Sequence, residues 1–378
     1  MLSSPPASSR PAQDIPALTG ARGPAALAVV AYHLPMDATL PATANWFGLE
    51  ALFARGHLGV EFFFILSGFI IHHVYREVFA TGLSGAEYRR FILYRFARIW
   101  PLHMVTMAGA LGLYAAAILL FNRVPQDAGS YAPLSILANM LMVQSWFGLG
   151  SPNVPAWSIS AEWAAYLAFP LLCAALMRLP LMGWLAIGIA AWLATGTDLV
   201  THPLGRIAAC FLLGMALREC EGRLQLARHL SRWTGLLVTG SLLAAGWFLP
   251  GTALLPCTLG FAALILALTR EEDLLARFAA RRFMVYLGEI SFALYMCHAV
   301  VWSGFKNLLR IAAPGLDPAG HAPVLIGVVL SLLAAAVLYH LVEMPGRTWL
   351  RRLARRNPAL RHGTDSVPAW NRGRATGI

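Results

Sequence analysis

Ten apolar stretches, each long enough or nearly long enough to cross a bilayer, follow one another at approximately 16–36, 57–78, 97–121, 157–177, 180–197, 203–219, 233–250, 253–269, 283–306 and 322–345. About 20 consecutive apolar residues span a hydrocarbon core as a helix, and backbone polar groups in lipid must be satisfied within the segment. The pattern therefore predicts an all-α, polytopic membrane helix bundle. Composition agrees: hydrophobic residues make up 58% of the 378 and charged residues 12%, about half the share typical of soluble domains. Mean hydropathy is +0.61.

A further window at 131–148 decides the topology. With a cytosolic N-terminus and 131–148 lying at the outer face or re-entrant, the arginines of 89–98, 218–232, 270–282 and 347–374 all fall on the cytosolic side. Making 131–148 span would invert two of those clusters against the positive-inside rule. Ten crossings with both termini cytosolic are expected. Residues 1–15, Ser/Pro-rich and without a signal-peptide core, read as a disordered cytosolic tail, 16–346 as the membrane domain, and 347–378 as a basic tail without fixed structure. Among the 29 basic residues only Lys306 is lysine. That arginine excess suits anionic headgroups or phosphates, or reflects genome composition, and no nucleic-acid partner is expected. The five cysteines have no paired spacing, so neither a disulfide framework nor a metal site is expected.

Ionisable residues inside such windows are costly and mark function. Arg22 and His33 stand eleven residues apart in the first window, which places them on nearly one helix face about 16 Å apart in depth. With the topology above, His33, Glu61, Glu162 and His298 come to similar depth toward the outer side, from four distant parts of the chain. Arg95 and Arg98 gather near the inner surface with Glu343, either as its ion-pair partners or as ligand contacts. His72 and His73 read as a solvated or interfacial pair, and Gly56 to Phe69 reads mostly as packing.

These residues together resemble the acyltransferase 3 family of bacterial integral-membrane O-acyltransferases. The resemblance covers about 17–346 and rests on six ordered marks: Arg22 to His33, Gly59-Val60-Glu61 through Ser67-Gly68-Phe69, Arg95-Phe96-Ala97-Arg98-Ile99-Trp100-Pro101, Trp157-Ser158 through Glu162 with Tyr166, Ser291 through Tyr295 to His298, and Glu343-Met344-Pro345. Glu61 stands where the family often has Asp, and Trp100 where it often has Tyr. No hydrolase-like domain follows the last window, so transfer is expected within the membrane domain or with a separate partner.

The resemblance implies transfer of an acyl group, most often acetyl, from cytosolic acyl-CoA to a hydroxyl of a glycan such as an exopolysaccharide or O-antigen. The enzyme would sit in the bacterial inner membrane, with glycan-export machinery as a candidate partner. Arg22, Arg95 and Arg98 are assigned to the donor. His33 is the expected general base, because a neutral imidazole titrates near pH 7. Glu162 would orient His33 or bind the sugar, Tyr295 and His298 would donate to the thioester oxygen, and Glu61, Trp157 and Ser158 would contact the acceptor. A glycan or lipid-linked-sugar transporter is the rival reading, and a sensor that keeps the fold without the chemistry is a third. The absence of paired, interrupted inverted repeats weighs against transport.

Overall fold

The structure, a computed structural model, describes residues 15–34, 48–80, 82–122, 127–248 and 254–356. Among these residues the chain is all-helical. In order the α-helices are α1 (Pro16–His33), α2 (Glu50–Phe53), α3 (Gly59–Ala80), α4 (Gly85–Phe121), α5 (Pro133–Met140), α6 (Ala156–Leu176), α7 (Leu181–Ala194) and α8 (Pro203–Leu224). There follow α9 (Thr234–Phe248), α10 (Leu254–Leu268), α11 (Leu274–Ala279), α12 (Arg282–Glu289), α13 (Ser291–Ala312), α14 (His321–Leu338) and α15 (Met344–Arg356).

Each apolar window of the sequence coincides with one of these helices or with a consecutive pair. Among the described residues four stretches, Glu50–Ala80, Gly85–Leu120, Ala156–Leu176 and His321–Leu353, are long and apolar enough to cross a bilayer. α12 and α13 make a fifth if taken as one span, bent by 57° at Ile290. α7, α9 and α10 are shorter apolar helices. The window 131–148 contains no continuous helix. It breaks into α5, eight residues or about 12 Å long, and short turns on either side. Gln144 and Trp146 pin it to the start of α6 by donating to the carbonyls of Ala156 and Ser160.

In a uniformly greasy chain the order of packing is set by small residues, since lipid tails compete equally for large ones. A Cβ on Gly68 of α3 would fall 2.1 Å from the Phe211 carbonyl oxygen, and one on Gly214 of α8 would fall 2.0 Å from that of Ile65. α3 and α8 therefore touch backbone to backbone. The same device grips α1 from two sides: a Cβ on Gly288 would fall 1.8 Å from the Thr19 oxygen, and one on Gly56 2.0 Å from that of Ala28. The helix that carries Arg22 and His33 is thereby fixed in height and rotation. Gly68→Val is expected to destabilise the folded protein by at least the 1–3 kcal/mol typical of overpacking, read as a lower melting temperature in detergent. An unchanged melting temperature would contradict the close approach.

Two expectations about the ends meet the structure only in part. Residues 1–14 and 357–378 lie outside the described residues. Residues 347–356, expected to lack fixed structure, belong to α15, which packs along α4. Its charge pattern suggested a solvated tail, but Met344 packs against the core and Gly346 lets its backbone come close to Pro101. A π-helical turn over Tyr339–Glu343 joins α14 to α15 and turns Glu343 onto Arg98.

Candidate active site

α1 and α13 meet at their histidines. His298, fully buried, has its Nδ1 3.2 Å from the Leu294 carbonyl oxygen and its Nε2 3.2 Å from Nδ1 of His33. The His33 Nδ1 is also 2.9 Å from the Val29 carbonyl oxygen. A carbonyl oxygen only accepts, so in the neutral pair each Nδ1 carries the proton and donates it. Nε2 of His298 then accepts from His33, and Nε2 of His33 is the nitrogen of that ring that carries the lone pair. One chain of hydrogen bonds thus sets both tautomers.

One turn before His298 on the same face of α13 stands Tyr295, with ring centroids 6.1 Å apart. Its hydroxyl lies 2.7 Å from Ser158 Oγ and donates to the Pro155 carbonyl at 3.1 Å. Tyr295 and Ser158 also form the wall of a cavity of about 150 Å³. From them it runs between α1, α3, α4, α6 and α13 to Arg22, Arg95 and Arg98, past Phe63, Phe64, Glu162 and Tyr166. His33 and His298 are not among the cavity's lining residues; Tyr295, whose ring neighbours that of His298, is.

The far end of the cavity is rich in positive charge. Among the described residues no acceptor lies within hydrogen-bond or ion-pair distance of the Arg22 guanidinium. Arg95 is packed among the rings of Tyr75, Phe91 and Tyr166 at 5.6, 5.9 and 5.8 Å. It donates to the Tyr75 hydroxyl at 3.5 Å, and its buried Nε has no acceptor among the described residues. Arg98 is ion-paired with Glu343 and lies over Phe292 at 5.6 Å. Such a cluster attracts an anion.

Glu162 faces the cavity but does not meet His33. Its Oε1 accepts from Ser67 at 2.9 Å and from Tyr166 at 2.5 Å. Of the expected set, His298 meets His33, and its Nε2 accepts and so has no proton to give a thioester oxygen while neutral. Glu61 and Trp157, expected at the acceptor, are assembled around Arg206 of α8 instead. Glu61 is fully buried in an ion pair with that arginine, whose guanidinium also lies 5.1 Å from the Trp157 ring centroid. Arg206 was not singled out in the sequence, although an arginine three residues inside an apolar window was the available signal.

His72 is not solvated. It is fully buried, 3.0 Å from Glu219, which also binds Arg76 and Arg223 at 3.2 and 2.8 Å. Proximity to a membrane surface suggested exposure, whereas the close contact of α3 with α8 encloses it. Among the described residues no group of three or more His, Cys, Asp or Glu side chains is placed to hold a metal ion.

Apolar helices packed through glycines, four of them among the described residues long and apolar enough to cross a bilayer, enclose a histidine pair and an arginine-lined cavity, the build of a membrane protein. The chain belongs to the acyltransferase 3 family: the family's sequence profile, described as an acyltransferase domain, matches residues 15–340. Membership makes it an acyltransferase of groups other than aminoacyl groups. Acyltransferase MdmB of Streptomyces mycarofaciens is 29% identical, over 95% of this chain and 98% of that protein. The peptidoglycan O-acetyltransferase OatA of Listeria monocytogenes is 23% identical over 88% of this chain and 56% of its own length. O-acetyltransferase OatA of Staphylococcus aureus is 22% identical, over 88% and 57%. This chain therefore spans little more than half the length of the OatA proteins. No solved structure matches it.

Proposed function

We propose that the protein is a membrane O-acyltransferase that moves an acyl group, most simply acetyl, from cytosolic acyl-CoA to a hydroxyl of a glycan. It would sit in the bacterial inner membrane, crossing ten times with both termini cytosolic. The observation that carries this reading is the His33–His298 contact at 3.2 Å, on the same helix as Arg22 and about three turns beyond it. A thioester held by its anionic end at the arginines extends along the cavity toward Tyr295, and the acceptor approaches from the other side.

In the reaction His33 Nε2 takes the proton of the acceptor hydroxyl as its oxygen attacks the thioester carbonyl. When the carbon–sulfur bond breaks, His33 returns that proton to the departing sulfur. His298 holds His33 in the tautomer that makes this exchange productive, a positioning role. Tyr295 and Ser158 shape the end of the cavity, and Arg22, with Arg95 and Arg98, holds the donor.

Purified protein in nanodiscs, titrated with acetyl-CoA and then supplied with an oligosaccharide acceptor and labelled donor, tests the reading. Micromolar donor binding and appearance of label as an O-acetyl ester are expected. Arg22→Ala is expected to weaken donor binding about tenfold, the loss of one charge-assisted hydrogen bond. If the wild-type protein bound no acyl-CoA, the reading would be wrong.

A further inference from the structure

The cavity runs from Tyr295 to Arg95 and Arg98, and an acyl-CoA donor with its thioester toward Tyr295 carries a long anionic head of adenosine and phosphates behind it. A donor so placed directs that head beyond Arg95 and Arg98, where α15 lies. Glu343, Arg347 and Arg351 recur every four residues and so share one face. That face runs antiparallel to α4: Glu343 is paired with Arg98, and the Arg351 guanidinium lies 5.2 Å from the centre of the Tyr94 ring, which Arg90 approaches at 5.6 Å. Arg347 falls between these two contacts, close enough to Arg98 and Arg95 to feel their charge. It is half-buried, and among the described residues it has no hydrogen-bond or ion-pair partner. The guanidinium groups of Arg95, Arg98 and Arg347 are thus brought together from two helices, with Glu343 paired to Arg98, and such a cluster favours an anion among them.

We propose that Arg347 and Arg351 of α15 form, with Arg95 and Arg98, the receptor for the phosphate-bearing head of the donor, so that α15 is part of the substrate site and not a membrane anchor. This rests on the acyl-CoA reading above. The competing source of the same chemistry is an anionic lipid headgroup.

The test measures kcat and KM of the full chain in nanodiscs with acetyl-CoA and with S-acetylpantetheine, which lacks the nucleotide and its phosphates. Arg347→Gln and Arg351→Gln are compared with Arg352→Gln, which removes the same charge from an exposed position of the same helix. For the first two variants KM for acetyl-CoA is expected to rise about tenfold, with kcat and the KM for S-acetylpantetheine unchanged, in purely zwitterionic discs as well as anionic ones. Arg352→Gln should match wild type. Equal losses with both donors, an equal effect of Arg352→Gln, or unchanged kinetics would overturn the proposal. An effect confined to anionic discs would assign these arginines to lipid and overturn it too. If wild type used S-acetylpantetheine but neither bound nor used acetyl-CoA, the acyl-CoA reading itself would fall first.

Discussion

His33→Ala is expected to lower acyl transfer by a factor of about 100 to 10,000, the usual worth of a positioned general base, while the protein still reaches the membrane in normal amounts. The cost to folding should be small, because His33 is half-buried at the end of α1, whose position is held by glycine contacts elsewhere. Donor binding, which depends on the other end of the helix, should be unchanged. The His298 variants separate catalysis from positioning. His298→Gln can still present a carbonyl oxygen to the His33 Nδ1–H and should keep part of the activity, whereas His298→Leu offers no acceptor and should lose about tenfold or more. Single-turnover transfer of labelled acetyl by each variant is the measurement. Wild-type acylation by His33→Ala would remove the base, and equal activity of the two His298 variants would remove the tautomer argument.

How much of this site could be read in the sequence follows from what a helical sequence encodes. Hydrophobic length gives depth, so the sequence alone places Arg22 and His33 about 16 Å apart and His33 and His298 at one height. Rotation about the helix axis is not encoded when the helix is apolar all round, and that is where the reading went astray. Glu162 turns toward Ser67 and Tyr166, and His298 is the side chain of the expected set that meets His33. Glu61 turns toward α8, a helix whose arginine is 145 residues away in sequence. His72 looked solvated because its height was known and its neighbours were not. For α15 the error ran the other way: its arginines were counted as charge, and the four-residue spacing that puts Glu343, Arg347 and Arg351 on one face was overlooked.

Glu61→Ala is expected to be the most destabilising single change among the site candidates, at about 3–5 kcal/mol, because it strands a guanidinium in the protein interior. The Arg206 side chain is 21% exposed and that of Glu61 0%, so little water can replace the lost carboxylate. Stacking on Trp157 would offset only about 0.5–2 kcal/mol of that loss. The expected phenotype is low abundance in the membrane and a sharply lower melting temperature, which by themselves would not tell an ion-pair partner from an acceptor-binding residue. The double variant Glu61→Leu with Arg206→Met makes the distinction, since replacing both members of a buried pair by apolar groups of similar volume is often neutral or stabilising. If Glu61 acts through Arg206 alone, the double variant should recover both melting temperature and acyl transfer. If Glu61 binds the acceptor through Oε2, which is buried without a hydrogen-bond partner among the described residues, the double variant should fold normally and show a raised acceptor KM. The first outcome is expected, because Glu61 lies outside the cavity lining and its bound oxygen is wholly committed to Arg206.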